Sequence, residues 1–182
     1  MPPQPKKFNL FLLDADVVIH LHELNLWSTL LDRVSCLYMS ETIFHECRFY
    51  SDDLGNECPI DLSQSGKVKK LQADLANSRK VLAACGCDVV PDAGELEALA
   101  ILLVSDDFYM CSCDQGAIKG AVIIGKKEQL ISPQGVFTEI GHPSPKLAAH
   151  PYSDKTLQSI IKQGEVFRIQ RFSEITAILS KS

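Results

Sequence analysis

Short apolar runs alternate with longer stretches of helical periodicity along most of this chain. The short runs are bounded by polar residues, a pattern typical of buried β-strands. The predicted strands cover 8–13, 35–39, 87–90 and 108–113. In the longer stretches, apolar residues recur every three or four positions or follow an Asp or Ser suited to start a helix. The predicted helices cover 22–33, 41–50, 68–84, 92–104, 114–124, 153–163 and 173–180.

The remaining segments lack a clear period. Residues 1–7 carry three Pro and two Lys and are interpreted as a loose arm. Residues 52–65 hold Gly, Pro, Asn and Ser, which predicts a loop. Within 130–140, a Pro-Gln-Gly sequence at 133–135 predicts a turn, and 141–151, with three Pro and two His, predicts a connector.

The order of these elements predicts the fold class. Strands that alternate with helices are typical of an α/β domain with a mostly parallel sheet and helices on both faces. A chain of 182 residues is long enough to form one such domain with its own core. In this architecture, ligands bind at the carboxyl ends of the strands.

Composition and net charge limit the classes of function that this chain can have. The chain is 46% hydrophobic and 23% charged, as in globular proteins, and its net charge is −5. An acidic balance argues against a protein coated in basic residues for binding nucleic acid. It leaves a nuclease open, because a carboxylate cluster adds negative charge that a metal neutralises locally. The apolar runs are too short for a secretory signal or for the ~20 residues that span a bilayer, so we expect a cytoplasmic protein without a membrane partner.

The seven Cys residues favour free thiols over structural zinc. Their number is odd and most lie in apolar runs, as expected for buried thiols in a reducing compartment. Cys85 with Cys87 and Cys111 with Cys113 would offer four zinc ligands. However, each pair is separated by one residue, whereas zinc ligand pairs usually have two to four between them.

Acidic residues stand at four places where a predicted strand ends or a helix begins. They are Asp14 with Asp16, Glu46, Glu95 with Glu97, and Asp114. Asp14 ends an apolar strand of Phe and Leu. Burying an ionised carboxylate there costs free energy unless a hydrogen-bond donor or a cation pairs with it. Because hard divalent cations take carboxylate oxygens, acids from separate elements that converge in one pocket suggest a metal-dependent nuclease.

Three sequence motifs resemble those of the PIN-domain family of nucleases. The first is the apolar strand ending in Leu13-Asp14-Ala15-Asp16, followed by Val and Ile. The second is Gly94-Glu95-Leu96-Glu97-Ala98, similar to a motif of one PIN branch and of the related flap endonucleases. The third is Ser112-Cys113-Asp114, followed by Ala117 and Lys119.

The resemblance extends over residues 8–125, with the motifs in family order. Glu46 falls where the family places an acid on the helix after the second strand. The implied fold is a PIN-like three-layer α/β/α domain with a central, mostly parallel sheet. Residues 126–182 carry none of these motifs, and we expect them to form a C-terminal extension packed on the same domain.

The resemblance implies a Mg²⁺ or Mn²⁺ site. Asp14, Glu95 and Asp114 would be direct ligands, and Glu46 would bind metal or orient its water, so these four would carry catalysis. Such ions supply a water nucleophile and relieve charge on the phosphate. The expected supporting residues are Asp16 and Ser112 behind the ligands, Glu97 as a ligand of a second metal, and Lys119, Arg168 and Arg171 as contacts to the phosphate backbone.

The activity implied by the resemblance is metal-dependent endonucleolytic hydrolysis of phosphodiester bonds, with RNA favoured as substrate. Small PIN proteins are often toxins of toxin–antitoxin pairs, which implies an antitoxin partner and a homodimer. Two other functions fit the same residues. Asp14 and Asp16 also resemble the opening motif of haloacid-dehalogenase-type phosphatases, in which Asp14 would be the nucleophile. A non-catalytic PIN-like module would bind RNA or protein without cutting.

Each acid also has an interpretation without a metal. Asp92 and Glu95 have the spacing of a helix capping box, and Asp114 suits a helix N-cap. Glu46 would then be an exposed helix residue.

Overall fold

The computed structural model describes residues 8–12, 14–63, 66–87 and 89–180. Within these ranges the fold is α/β, as predicted, with a five-stranded parallel sheet flanked by helices. The strands are β1 Asn9–Leu12, β2 Cys36–Ser40, β3 Phe49–Ser51, β4 Glu57–Pro59, β5 Val68–Leu71, β6 Tyr109–Cys111 and β7 Leu130–Ile131. The helices are α1 Ala15–Glu23, α2 Trp27–Arg33, α3 Glu41–Glu46, α4 Leu75–Cys85, α5 Ala93–Leu103, α6 Gln115–Ile123, α7 Pro133–Glu139, α8 Asp154–Gln170 and α9 Phe172–Leu179.

The central strand explains why the sheet is so apolar in sequence. The strand order is β5-β2-β1-β6-β7, so β1 lies in the middle and pairs in parallel with β2 and β6. Leu10, Phe11 and Leu12 are fully buried because helices cover both faces of the sheet. All strands of this sheet point the same way, so their carboxyl ends meet at one edge.

Helices start at this edge where the sequence supplies a capping side chain. Asp14 comes two residues after β1 and Asp114 three residues after β6, and they cap α1 and α6 through their carboxylates. Ser40 does the same after β2, where it caps α3. A side-chain oxygen at this position satisfies backbone N–H groups that have no partner in the first turn. The caps therefore place acidic side chains at the end of β1 and of β6.

The predicted helix over 22–33 is wrong in its bounds. The structure has α1 beginning at Ala15, immediately after its Asp14 cap, and a second helix from Trp27. Asn25 separates the two helices with a φ of 58°, a left-handed conformation that Asn adopts more readily than most residues. Both helices bury one face against the same core, so the helical spacing of apolar residues continues from one helix to the next. The spacing therefore did not indicate a break between them.

The predicted helix over 68–84 is also wrong, because its first part is a strand. Val68–Leu71 forms the edge strand β5, whose residues Val68 to Leu71 pair with Leu37 to Ser40 of β2. The helix α4 begins only after Asp74, whose side chain accepts the N–H of Ala76. Pairing with β2 thus outweighed the helical spacing of the apolar residues in this segment.

The remaining differences concern short elements. The helix predicted over 41–50 ends earlier, at Glu46. An antiparallel hairpin of β3 and β4 follows it. Strand β3 lies just before the predicted loop 52–65, and β4 lies within it. A strand was predicted over 87–90, but residues 87, 89 and 90 are not in a strand, and residue 88 lies outside the described residues. The predicted arm, residues 1–7, also lies outside the described residues. The predicted turn at 133–135 is instead the start of α7, with Ser132 as its cap. β7, just before it, pairs with β6.

The C-terminal helices contact the rest of the fold at close range. A Cβ atom at Gly164 of α8 would lie 2.9 Å from the Cβ of Val122, so α8 approaches α6 where it has no side chain. Helix α9 packs against α4, and Ile175 is buried there. Helix α8 continues to Gln170, beyond the predicted end at 163. In the part of the chain that the structure describes, no helix is both long and apolar enough to cross a bilayer.

Candidate functional site

A small pocket lies at the carboxyl edge of the sheet, where β1 and β6 end and α1, α3, α5 and α6 meet. Its volume is about 150 Å³. The acidic residues that line it are Asp14, Asp16, Glu46, Asp92, Glu95 and Asp114, together with Ala15, Ile43 and Gly94. The structure therefore brings together the four predicted catalytic acids. It also adds Asp92, which the sequence indicated only as a helix cap.

Asp14, in the lining of this pocket, forms hydrogen bonds with the segments that follow β1 and β6. Its Oδ1 accepts the backbone N–H of Asp16 at 2.6 Å and of Val17 at 3.2 Å. Its Oδ2 accepts the Ser112 hydroxyl at 3.1 Å and the Cys113 N–H at 2.9 Å. These four hydrogen bonds fix the carboxylate and connect β1 and α1 to the segment after β6.

Ser112 contacts the acids as the sequence predicted. It is 2% exposed, and its hydroxyl both donates to Asp14 and accepts the N–H of Asp114 at 3.0 Å. A hydroxyl can do both because it carries one donor and two acceptor lone pairs. Ser112 thus sets the position of Asp114 relative to Asp14.

Asp114 and Glu95 form a carboxyl–carboxylate pair. Burial acts to raise the pKa of Asp114, but a hydrogen bond from Glu95 and the N–H groups at the start of α6 hold it below its usual value. Burial, followed by this hydrogen bond and the charge of Asp114, raises the pKa of Glu95 to about 8. At neutral pH Glu95 is therefore the protonated partner, and it donates to Asp114.

Backbone contacts hold both members of this pair. The N–H of Asp92 donates to Glu95 Oε2 at 3.0 Å, and the N–H of Glu95 donates to Asp92 Oδ1 at 2.8 Å, a complete capping box. The Oδ1 of Asp114 caps α6 through the N–H groups of Gly116 and Ala117. A Cβ atom at Gly116 would lie 3.0 Å from Asp114 Oδ1 and 3.2 Å from Glu95 Oε2, so only glycine leaves these oxygens their present space.

The carboxylates of Asp16 and Glu46 face the pocket and do not cap a helix or pair with a neighbouring group among the described residues. Within the described ranges, neither carboxylate accepts a hydrogen bond or forms an ion pair. Burial, followed by the negative charges of Asp14 and Asp114, raises the pKa of Asp16. Burial and the nearby Asp92 raise the pKa of Glu46. These two acids are therefore held close to other negative charges.

Glu97, a predicted metal ligand, lies outside this pocket. Its Oε2 accepts the N–H of Thr42 at 3.0 Å, at the start of α3. Glu95 and Glu97 are two residues apart on α5, so their side chains leave the helix about 200° apart. One side chain therefore faces the pocket while the other joins α5 to α3.

The predicted phosphate contacts also have structural partners. The guanidinium group of Arg168 donates to the carbonyls of Val122 at 3.0 Å and Ile123 at 2.7 Å, at the end of α6. Arg171 donates in the same way to Ala84 and Cys85 at the end of α4. Lys119 lies on α6, and its ammonium group is 3.4 Å from the side-chain oxygen of Gln115. The two arginines thus stabilise helix C-termini.

Arg168→Ala is expected to lower the free energy of unfolding by about 1–2 kcal/mol and, if the protein binds RNA as its sequence predicts, to leave that affinity unchanged. The reason is that two charge-assisted hydrogen bonds to α6 would be lost. Urea denaturation and RNA titration would measure the two effects, with Lys162→Ala, a surface charge on the same helix, as the control. Weaker RNA binding with unchanged stability would instead show that Arg168 contacts phosphate.

The donor set of the pocket suits a hard divalent cation. No three His, Cys, Asp or Glu side chains within the described ranges are already arranged as a metal site. The lining nevertheless offers carboxylate oxygens from four segments, and no basic side chain stands among the lining residues that the structure describes. A cation would replace the proton that Glu95 and Asp114 share and would relieve the repulsion at Asp16 and Glu46. The residues therefore fit Mg²⁺ or Mn²⁺ once the Glu95–Asp114 contact opens.

The chain matches no family model, no curated protein and no solved structure. Any assignment of function therefore depends on the pocket itself and on the order of the acidic motifs.

Proposed function

We propose that this protein is a metal-dependent endonuclease that hydrolyses phosphodiester bonds, with RNA as its substrate. The observation that carries the proposal is the convergence of six acidic side chains in one pocket at the carboxyl edge of a parallel sheet, where none of the described lining residues is basic. Such a concentration of like charge is unfavourable unless a cation neutralises it. Structural capping alone does not require Asp16 or Glu46 to face the same pocket.

The proposed ligands of Mg²⁺ or Mn²⁺ are Asp14, Glu95 and Asp114, with Glu46 as a fourth ligand or as the group that orients the attacking water. A bound cation of this kind lowers the pKa of its water and neutralises charge on the phosphate. The protein supports this chemistry by fixing the carboxylates. Ser112 orients Asp14 and Asp114, and the capping box orients Glu95, as expected for residues that position metal ligands.

The biological setting follows from the motif order rather than from the pocket. The order of the acidic motifs resembles that of PIN-domain nucleases, in which small members are often toxins. On this basis we propose a cytoplasmic toxin ribonuclease with an antitoxin partner, acting as a homodimer.

The direct test is a cleavage assay on end-labelled structured RNA and single-stranded DNA, with Mn²⁺, with Mg²⁺ and with EDTA. The proposal expects cleavage of RNA that requires the divalent cation and stops in EDTA. Absence of cleavage by folded protein, together with no heat of Mn²⁺ or Mg²⁺ binding in calorimetry, would overturn it.

A non-catalytic module is the second candidate. It is favoured by one observation: Asp14, Glu95 and Asp114 all use carboxylate oxygens to cap helices. Binding of RNA without cleavage, and without bound metal, would support it. The phosphatase alternative has less support, because both oxygens of Asp14, its required nucleophile, already accept two hydrogen bonds each.

A further inference from the structure

Tyr152 connects the C-terminal part of the chain to α1, the helix that carries Asp16. It lies between α7 and α8, and its ring stacks on the imidazole of His20, with centroids 3.9 Å apart and planes within 8° of parallel. His20 is on α1, four residues after Asp16, so the two side chains lie on the same face of that helix. The stack therefore lies one helical turn from Asp16, one of the acids that line the pocket.

The position of Tyr152 is fixed by its backbone as well as by its ring. Its N–H donates to the carbonyl of Ala149 at 2.9 Å, and its carbonyl accepts the N–H of Gln134 in α7 at 3.1 Å. The next residue, Ser153, caps α8. On the other side of the stack, His20 Nδ1 lies 3.2 Å from the Glu23 carboxylate. The phenol is thus held between α1, α7 and α8, a form of preorganisation that lowers the entropic cost of binding a ligand.

The Tyr152 hydroxyl is a neutral donor among acids. Burial, followed by electrostatic interactions with nearby groups that include Cys113, Asp16 and Asp14, raises the pKa of Tyr152 to about 12, so the phenol stays protonated. Within the described ranges, no hydrogen bond joins this hydroxyl to another protein group. Tyrosine hydroxyls that are partly buried usually find a partner. The donor is therefore available for a ligand that reaches the His20–Tyr152 stack, one helical turn from Asp16.

We propose that the Tyr152 hydroxyl binds the substrate strand by donating a hydrogen bond to a phosphate oxygen, while the His20 ring keeps the phenol in place. The inference rests on the proposed nuclease function. The carboxylates around the pocket accept hydrogen bonds and repel phosphate, so a strand that reaches them needs a donor nearby. A neutral hydroxyl supplies one without neutralising the carboxylates that hold the cation. This gives residues 126–182 a part in substrate binding.

The test compares Tyr152→Phe, which removes only the hydroxyl, with wild type in steady-state cleavage of a short RNA. We expect KM to rise about tenfold, as for loss of a hydrogen bond to a charged acceptor, with kcat nearly unchanged. Affinity for the same fluorescent RNA, measured in Ca²⁺ by anisotropy, should fall by the same factor. Tyr109→Phe, which removes a hydroxyl at the opposite edge of the sheet, is the matched control and should leave KM, kcat and affinity unchanged.

Each outcome separates this inference from the proposed function. If wild type cleaves RNA and Tyr152→Phe has wild-type KM and affinity, the hydroxyl has no role in binding and the inference is overturned, while the nuclease proposal stands. If Tyr152→Phe is normal but Tyr152→Ala binds RNA weakly, the ring stacks on a base instead, which also overturns it. If wild type neither cleaves nor binds RNA, both proposals fail.

Discussion

Glu46→Gln is expected to reduce metal-dependent cleavage at least about a hundredfold and to leave the free energy of unfolding within about 0.5 kcal/mol of wild type. Glu46 faces the pocket, and its carboxylate accepts no hydrogen bond among the described residues, so the carboxylate does not stabilise the fold through such a contact. Glutamine keeps its size but removes the charge that would bind the cation or orient its water. Cleavage rates in Mn²⁺ and urea denaturation in EDTA measure the two quantities.

Asp14→Asn provides the comparison, because Asp14 has both a structural and a proposed catalytic role. We expect it to lose cleavage to the same extent and also to lose about 2–3 kcal/mol of stability. An amide has only one oxygen to accept four hydrogen bonds, and its NH₂ group would face the N–H of Cys113 or of Val17. Full cleavage by Glu46→Gln, at wild-type stability, would remove Glu46 from the mechanism. Full cleavage by both variants would refute the proposed metal site and its mechanism.

The acids of the pocket could be predicted because each stands at a junction that the sequence marks clearly. Asp14 and Asp114 follow buried strands, and Asp92 with Glu95 has the spacing of a capping box. The same residue types suit helix caps and metal ligands, so the sequence indicated both functions, and the structure shows the caps. What distinguishes a site from a set of caps is the arrival of Asp16 and Glu46 in the same space, which depends on how α1 and α3 pack.

The features that could not be predicted depend on contacts between distant segments. The segment at 68–71 has the periodicity of a helix and becomes a strand because β2 offers it an edge to pair with. Arg168 and Arg171 are ordinary basic residues in sequence, and only the approach of α8 and α9 to the ends of α6 and α4 gives them carbonyl partners. Tyr152 lies in a predicted connector segment, and its contact with His20 spans most of the chain.

The proton held between Glu95 and Asp114 is expected to make the folded protein less stable as pH rises. A bound cation should offset this loss of stability. The pKa of Glu95 is about 8 in the folded protein and near 4.5 when unpaired, so the folded state binds this proton more tightly than the unfolded state does. The stabilisation is complete below about pH 4.5 and is lost as pH rises to about 8. In EDTA, wild type should therefore become steadily less stable between about pH 5 and pH 8.

Glu95→Gln is expected to remove most of this slope and to be more stable than wild type above about pH 8, because a neutral amide can still donate to Asp114. Urea denaturation across the pH range measures this, with Glu97→Gln on the same helix as the control that keeps the wild-type slope. Mn²⁺ should stabilise wild type most where Glu95 is ionised and should release a proton on binding at neutral pH, whereas Glu95→Gln should gain little from it. Equal slopes in wild type and Glu95→Gln would show that Glu95 does not hold this proton, and equal stabilisation of both by Mn²⁺ would exclude Glu95 as a ligand.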